Sequence, residues 1–266
     1  METVLILGAS GLVGKALSKE LAKNYKVYGT YSSNQTQEAA IRFQVEEDSI
    51  SEILNELKPS RIINCLRGDF QMQLKAWKEV LSYAKEADAW LYLCSTGNVF
   101  DGVFSTAHFR NEKAAAESEY GKFKIQSEDM LLNEWKNKSA IFRLPMIWGK
   151  ASPRMDKLAA DLKNNNKVKV YSNGYFNNNT DIMLAKQIAY AMDNDLSGVF
   201  HTGSSEVINH YEFIKAIAEK LGYRNAEYDE EILEGDKYYL AVLPEMGEWP
   251  KELEISNEEI IEHLCK

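Results

Sequence analysis

The chain has 266 residues, a formal net charge of −9, 45% hydrophobic and 27% charged side chains, which fits a globular protein and disfavours disordered, collagen-like and membrane classes. Its length is enough to bury a full core in one large domain or a domain carrying a smaller lobe, while the acidic balance argues against a nucleic-acid partner, whose phosphates need clustered Lys and Arg. Cys65, Cys94 and Cys265 are odd in number, far apart and without Cys-x-x-Cys spacing, so neither a disulfide framework nor a zinc ribbon is expected and the thiols read as reduced.

The chain opens METVLILGASG, a strand and turn with no basic stretch before a long apolar run, and about 18 consecutive apolar residues occur nowhere. A cytoplasmic protein with no membrane partner is expected. Apolar runs predict strands at Val4–Leu7, Val27–Tyr31, Ile41–Val45, Arg61–Cys65, Trp90–Cys94 and Ala140–Leu144. Between them, apolar residues at three- and four-residue spacing predict helices at Val13–Lys23, Ile50–Leu57, Gln71–Ala87 and Tyr120–Trp135. After Gly149 follow a helix at Asp156–Lys163, a strand at Val168–Tyr171, an Asn-rich loop NGYFNNNTD, a helix at Ile182–Asp193, a strand at Gly198–His201 and a helix at Tyr211–Leu221; the acidic tail from Asn225 to Lys266 carries no clear pattern. The alternation predicts an α/β fold: a Rossmann-type doubly wound parallel sheet over residues 1–150, completed near 180–202, with a small substrate-binding lobe from 151–180 and 203–266.

Gly8-Ala9-Ser10-Gly11-Leu12-Val13-Gly14 follows the first strand and opens the first helix, the context in which a glycine fingerprint acts as a phosphate cradle. Gly8, Ser10, Gly11, Leu12, Val13 and Gly14 are therefore candidates to hold a dinucleotide pyrophosphate. The second strand ends Tyr31-Ser32-Ser33 without a carboxylate to bind ribose hydroxyls. This favours NADP as cofactor, with NAD the alternative, and Lys15 or Arg42 as helpers for a 2′-phosphate. Tyr120 and Lys124, four apart, fall on one face of a helix, and Ser95-Thr96 close the fifth strand at the crevice where a cofactor would lie.

Taken together, the glycine turn, Ile63-Asn64-Cys65, Ser95-Thr96, Val99-Phe100-Asp101-Gly102, Tyr120-x-x-x-Lys124, Arg143, Gly149 and His201-Thr202-Gly203 resemble the extended short-chain dehydrogenases/reductases. The branch they resemble is that of dTDP-4-dehydrorhamnose reductase and its nucleotide-sugar-binding relatives. The resemblance implies hydride transfer between nicotinamide and a sugar carbonyl, with Tyr120 as general acid, Lys124 lowering its pKa and holding the nicotinamide ribose, and Thr96 donating to the carbonyl oxygen. Ser95 takes that part if the strand register is one off. It further implies that Gln44 and Val45 flank the adenine and that Asn64, Cys65, Leu66, Ser95 and Pro145 line the cofactor.

Departures cluster on the substrate side. Gly97-Asn98 replaces an Asp-Tyr pair, the loop after the fourth strand is short, Gln73 stands where a helix asparagine is usual, Gln44 where an acid is usual, and Phe123 where a small hydroxyl residue is usual. Arg67 is a candidate for a ligand carboxylate or phosphate, or else a surface arginine pairing with Asp69. Asn98 either touches a sugar hydroxyl or shapes the turn; Trp148 and Tyr175 with Asn177–Asn179 either line a sugar pocket or belong to core and loop. The four histidines have no metal-ligand spacing, and no metal is expected. The expected function is an NAD(P)-dependent reductase of a keto sugar, with a non-catalytic dinucleotide-binding regulatory subunit and an epimerase or dehydratase on the same fold as alternatives.

Overall fold

The computed structural model describes residues 1–38 and 40–266. The first half runs β1 (Thr3–Leu7), α1 (Leu12–Leu21), β2 (Lys26–Tyr31), β3 (Ile41–Arg42), α2 (Ile50–Leu57), β4 (Arg61–Asn64), α3 (Phe70–Ala87), β5 (Trp90–Cys94), α4 (Glu119–Glu134) and β6 (Ser139–Arg143). It continues with β7 (Met146–Trp148), α5 (Pro153–Lys163), β8 (Val168–Tyr171), β9 (Gly174–Phe176), β10 (Asn178–Thr180), α6 (Asp181–Asp193) and β11 (Gly198–His201). The last elements are β12 (Ile208–Asn209), α7 (His210–Lys220), β13 (Tyr228–Glu231), β14 (Tyr238–Leu240) and α8 (Asn257–Cys265).

Seven parallel strands form one sheet in the order β11-β6-β5-β4-β1-β2-β3. The chain leaves β1 toward β2 on one side and returns to β4 on the other, so the crevice outside the carboxyl ends of β1 and β4 is the place where this topology seats ligands. Side chains of β1 alternate between two cores. Val4 and Ile6 pack with Leu17, Leu184 and Ile188, and Leu5 and Leu7 with Leu54, Trp77, Val80 and Leu131. Burial on both faces explains the unbroken apolar run VLIL, which a one-sided strand would interrupt with polar residues.

Two expectations are corrected. The third strand is only Ile41–Arg42: after the Phe43 amide donates to the Tyr31 carbonyl, the Asp48 carboxylate accepts from the Gln44 amide at 2.7 Å and the chain turns, with Phe43 and Val45 as core residues. The NGYFNNNTD segment is not a loop but β9 and β10, with β10 parallel to β7. Its asparagines are buried: Asn177 clamps the Val242 backbone through both amide atoms, and the Asn179 amide donates to Gln187. The tail is ordered as well, since β13 pairs with β8 and β14 with β9. In α8, Ser256 and Glu259 form a capping box, and Ile260 and Leu264 join Trp148, Val170, Phe213 and Ile217 in a third core.

Candidate functional site

The glycine turn is a close contact between main chains. Gly8 has φ +83°, and a Cβ there would stand 2.6 Å from the Cys65 carbonyl oxygen; a Cβ on Gly14 would collide with the Gly8 oxygen and the Ala9 Cα. Only glycine permits this approach. The Thr30 hydroxyl accepts from the Gly8 amide at 2.9 Å, which fixes the turn from β2, a role the sequence pattern did not reveal. Gly11 caps α1 without a side-chain acceptor, so the first amides of α1 stay open toward the pocket.

Tyr120 is set by the start of α4. The Ser118 hydroxyl caps that helix by accepting from the Gly121 amide, while Asp101 Oδ1 accepts from the Glu117 and Ser118 amides. The Val99-Phe100-Asp101-Gly102 motif is thus an anchor for the helix that carries the phenol. Four residues on, Lys124 is buried and its Nζ donates to the Cys94 carbonyl at 3.0 Å. Four further, Glu128 is buried in an ion pair with Arg143 at 2.8 Å and accepts from the Ser95 hydroxyl at 2.5 Å. Tyr120, Lys124 and Glu128 form one stripe; the i+8 spacing was the available signal for Glu128.

The electrostatics correct one expectation. Burial pushes the Tyr120 phenol above its usual value, opposed by the Thr96 hydroxyl and by Arg67 rather than by Lys124. Burial likewise pushes Lys124 down, while Cys94, Cys65 and Glu128 hold it up. With its ammonium on the Cys94 carbonyl, Lys124 does not by itself prepare the phenol for ionisation.

A cavity of about 340 Å³ opens here, bordered by Gly8, Gly11, Leu12, Val13 and Gly14, by Cys65, Leu66 and Arg67 after β4, and by Ser95, Tyr120 and Lys124. Its lining carries Arg67 and Lys124 and no acidic side chain, in a chain of net charge −9. Asp69 caps α3 by accepting from the Gln71 and Met72 amides, and no ion pair joins it to Arg67 among the described residues. Gln73 faces the cavity and donates to the Gly68 carbonyl. Phe70 stacks on Phe123 with ring centres 4.8 Å apart, so two aromatic rings fill the space over the short loop after β4.

Other predicted residues lie outside the cavity lining, though the Thr96 hydroxyl reaches the Tyr120 phenol. Thr96 exchanges hydrogen bonds with Asn98, accepting from its amide at 3.2 Å and donating to its Oδ1 at 3.1 Å, so Asn98 shapes the turn. Tyr31, Ser32 and Ser33 lie at the end of β2 outside the cavity lining. Gln44 is tied to Asp48, and Val45 is core. Asn64 is buried, its Oδ1 accepting from the Leu66 amide. Pro145 lies close enough to Gly203 to touch a Cβ placed there. Trp148 is corrected: it is a buried core residue, its indole donating to Asn178 Oδ1 at 2.9 Å. Among the described residues no cluster of three His, Cys, Asp or Glu side chains could hold a metal ion, and no helix is long and apolar enough to cross a membrane.

Residues 1–234 match the RmlD substrate binding domain family, and the chain belongs to it. Methionine adenosyltransferase 2 subunit beta of Pongo abelii is 24% identical over 241 residues, covering 81% of this chain and 71% of that protein. Among solved structures, a dTDP-4-dehydrorhamnose reductase from Clostridium acetobutylicum superposes with a TM-score of 0.80 at 20% identity over 98% of both chains. One from Bacillus anthracis, in complex with NADP, gives 0.79 at 20% identity over 99% of this chain and 97% of that one. At these identities the structural likeness is one of fold.

Proposed function

We propose that this member of the RmlD substrate binding domain family is an NADP-dependent reductase of a keto group on a nucleotide-linked or related sugar, with residues 151–180 and 203–266 as its substrate lobe. The observation that carries the reading is that Tyr120, Lys124 and Ser95 meet the glycine turn in one cavity. The residues fit a nicotinamide dinucleotide: Gly8 and Gly14 let the turn pack on the Cys65 and Ala9 backbone, where a Cβ would collide, and the open amides of α1 that border the cavity suit a pyrophosphate. When bound, the nicotinamide supplies the hydride. Tyr120 delivers the proton to the carbonyl oxygen, Thr96 orients that oxygen, and Lys124 holds the nicotinamide ribose, where its charge and that of the oxidised ring lower the phenol pKa. The tip of β2, with hydroxyls and no carboxylate, supports NADP over NAD. Arg42 is engaged by Glu47 and Asp48, which leaves Lys15 as the candidate helper for a 2′-phosphate.

NADPH and NADH titrations, followed by NADPH oxidation with a panel of keto-sugar nucleotides, test this reading. Turnover should fall by about 10²–10⁴ in Tyr120→Phe while NADPH affinity stays within about twofold. Absence of oxidation with every keto sugar, or activity untouched in Tyr120→Phe, sinks it. A second reading, a non-catalytic dinucleotide-binding subunit, is favoured by the likeness to a protein described as a subunit and by the changed substrate side at Gly97, Asn98 and Phe123. It predicts NADPH binding without turnover and a stable protein partner.

A further inference from the structure

Cys65 and Cys94 follow the last pair of the β4–β5 ladder, in which Asn64 stands opposite Leu93. Neighbouring strands lie about 4.8 Å apart, within the Cα separation that a disulfide spans, and the two Sγ atoms are 3.3 Å from each other. Both thiols line the cavity, and each belongs to a backbone segment that holds one half of the site. The Cys65 carbonyl packs against Gly8 so closely that a Cβ there would be 2.6 Å away. The Cys94 carbonyl accepts from Lys124 Nζ at 3.0 Å. The sulfurs therefore sit at the joint between the pyrophosphate turn and the lysine of the catalytic stripe.

We propose that Cys65 and Cys94 are a redox-sensitive thiol pair, oxidised by a peroxide to a reversible disulfide that disorganises the dinucleotide pocket and is opposed by bound dinucleotide. This rests on reading the cavity as a dinucleotide site. One thiolate attacks the peroxide oxygen to give a sulfenic acid and one water; the second thiol attacks that sulfur, expelling another water as the S–S bond forms. Two electrons pass from the thiols to hydrogen peroxide. Contact with Cys94 and burial hold the Cys65 thiol well above the usual range, with Lys124 and Arg67 pulling the other way, so Cys65 rests as the thiol. Closing the bond draws the sulfurs together by about 1 Å. That movement is passed to Gly8 through the Cys65 backbone and to Lys124 through the Cys94 carbonyl. The third thiol, Cys265, lies on α8 against Ile217 in a different core and takes no part.

The test is hydrogen peroxide treatment of the full reduced chain, read by intact mass, peptide mapping and NADPH titration before and after a phosphine reductant. The expected result is loss of two hydrogens, a Cys65–Cys94 linked peptide, and NADPH affinity weakened at least about tenfold and restored by reductant. Saturating NADPH should slow the mass change at least about fivefold. Cys94→Ser should bind NADPH equally before and after peroxide, and Cys265→Ser should respond as the wild type does. Oxygen addition without hydrogen loss, a bond to Cys265, or a Cys65–Cys94 bond that leaves NADPH affinity unchanged overturns the proposal. Failure of the reduced wild type to bind NADPH at all refutes the dinucleotide reading instead, and with it the linkage to the pocket; the mass result then decides the thiol pair alone.

Discussion

Around Gly8 and Gly14 the wall of the pocket is main chain packed on main chain, whereas across from it, at Arg67, Tyr120 and Phe123, the wall is side chain. A main-chain wall can be built in few ways, because each added atom meets a carbonyl or Cα that cannot rotate aside. A side-chain wall can exchange one group for another while the helix beneath it stays put. The glycine turn therefore admits few exchanges, while side chains such as Arg67 and Phe123 can be exchanged without moving the backbone. The two sides were built under different steric limits.

The sharpest way to break that contrast is Gly14→Val, which forces a branched side chain into the Gly8 oxygen and Ala9. NADPH affinity should fall at least about a hundredfold, ~2.7 kcal/mol, with circular dichroism reporting whether the fold survives. Retention within about threefold would remove the claim that this wall is sterically fixed.

Acid should act away from the glycine turn. Burial, with Arg143 adding, pushes His201 down to about 3, and burial with Arg154 pushes His210 down to about 4. Each takes up a proton near pH 6.5 when unfolded, so between about pH 4 and 6.5 the unfolded chain binds more protons than the native one. Stability should therefore fall with falling pH across that window by up to ~2.7 kcal/mol per unit, and these two groups add no slope above it. Urea midpoints at about pH 7.5 and about pH 5.5 check this, and His210→Gln should remove about half of what this pair of histidines contributes. An unchanged fall in that variant would argue against His210.

Arg67→Gln probes the side-chain wall by removing one of two cations from a cavity without acids. An anionic ligand such as dTDP should bind about tenfold more weakly, ~1.4 kcal/mol, with NADPH affinity within about twofold. The reverse outcome in paired titrations would assign Arg67 to the dinucleotide. Smallest is Trp148→Phe, which loses the bond to Asn178. It should cost about 1 kcal/mol in thermal or urea unfolding and leave ligand binding alone; a binding defect would return Trp148 to the pocket.

Much of the fold was legible because its causes are local. Apolar runs at strand length, helical spacing between them, and a glycine turn joining the two are properties of neighbours in sequence, and they place β1, α1, β4, β5 and α4 to within a residue or two. The Tyr120–Lys124 pair was legible for the same reason, being one helical turn. Phe43 and Val45 misled: their apolar character reads as strand, but the Asp48 carboxylate takes the Gln44 amide and ends the ladder. Asn177–Asn179 misled in the opposite direction, because three consecutive amides resemble a solvated loop until Val242, Gln187 and Trp148 bind them.

By itself the sequence determined the doubly wound sheet, the glycine turn, and which helix carries the tyrosine and lysine, because hydrophobic period and glycine sterics act over a few residues. Tertiary structure alone decided that Thr30 holds Gly8, that Glu128 pairs with Arg143 and accepts from Ser95, that Lys124 bonds the Cys94 carbonyl, and that two cysteines twenty-nine positions apart come within 3.3 Å. Each of those contacts joins residues on different elements, and no local pattern encodes them; only the closing of the sheet brings their atoms within reach.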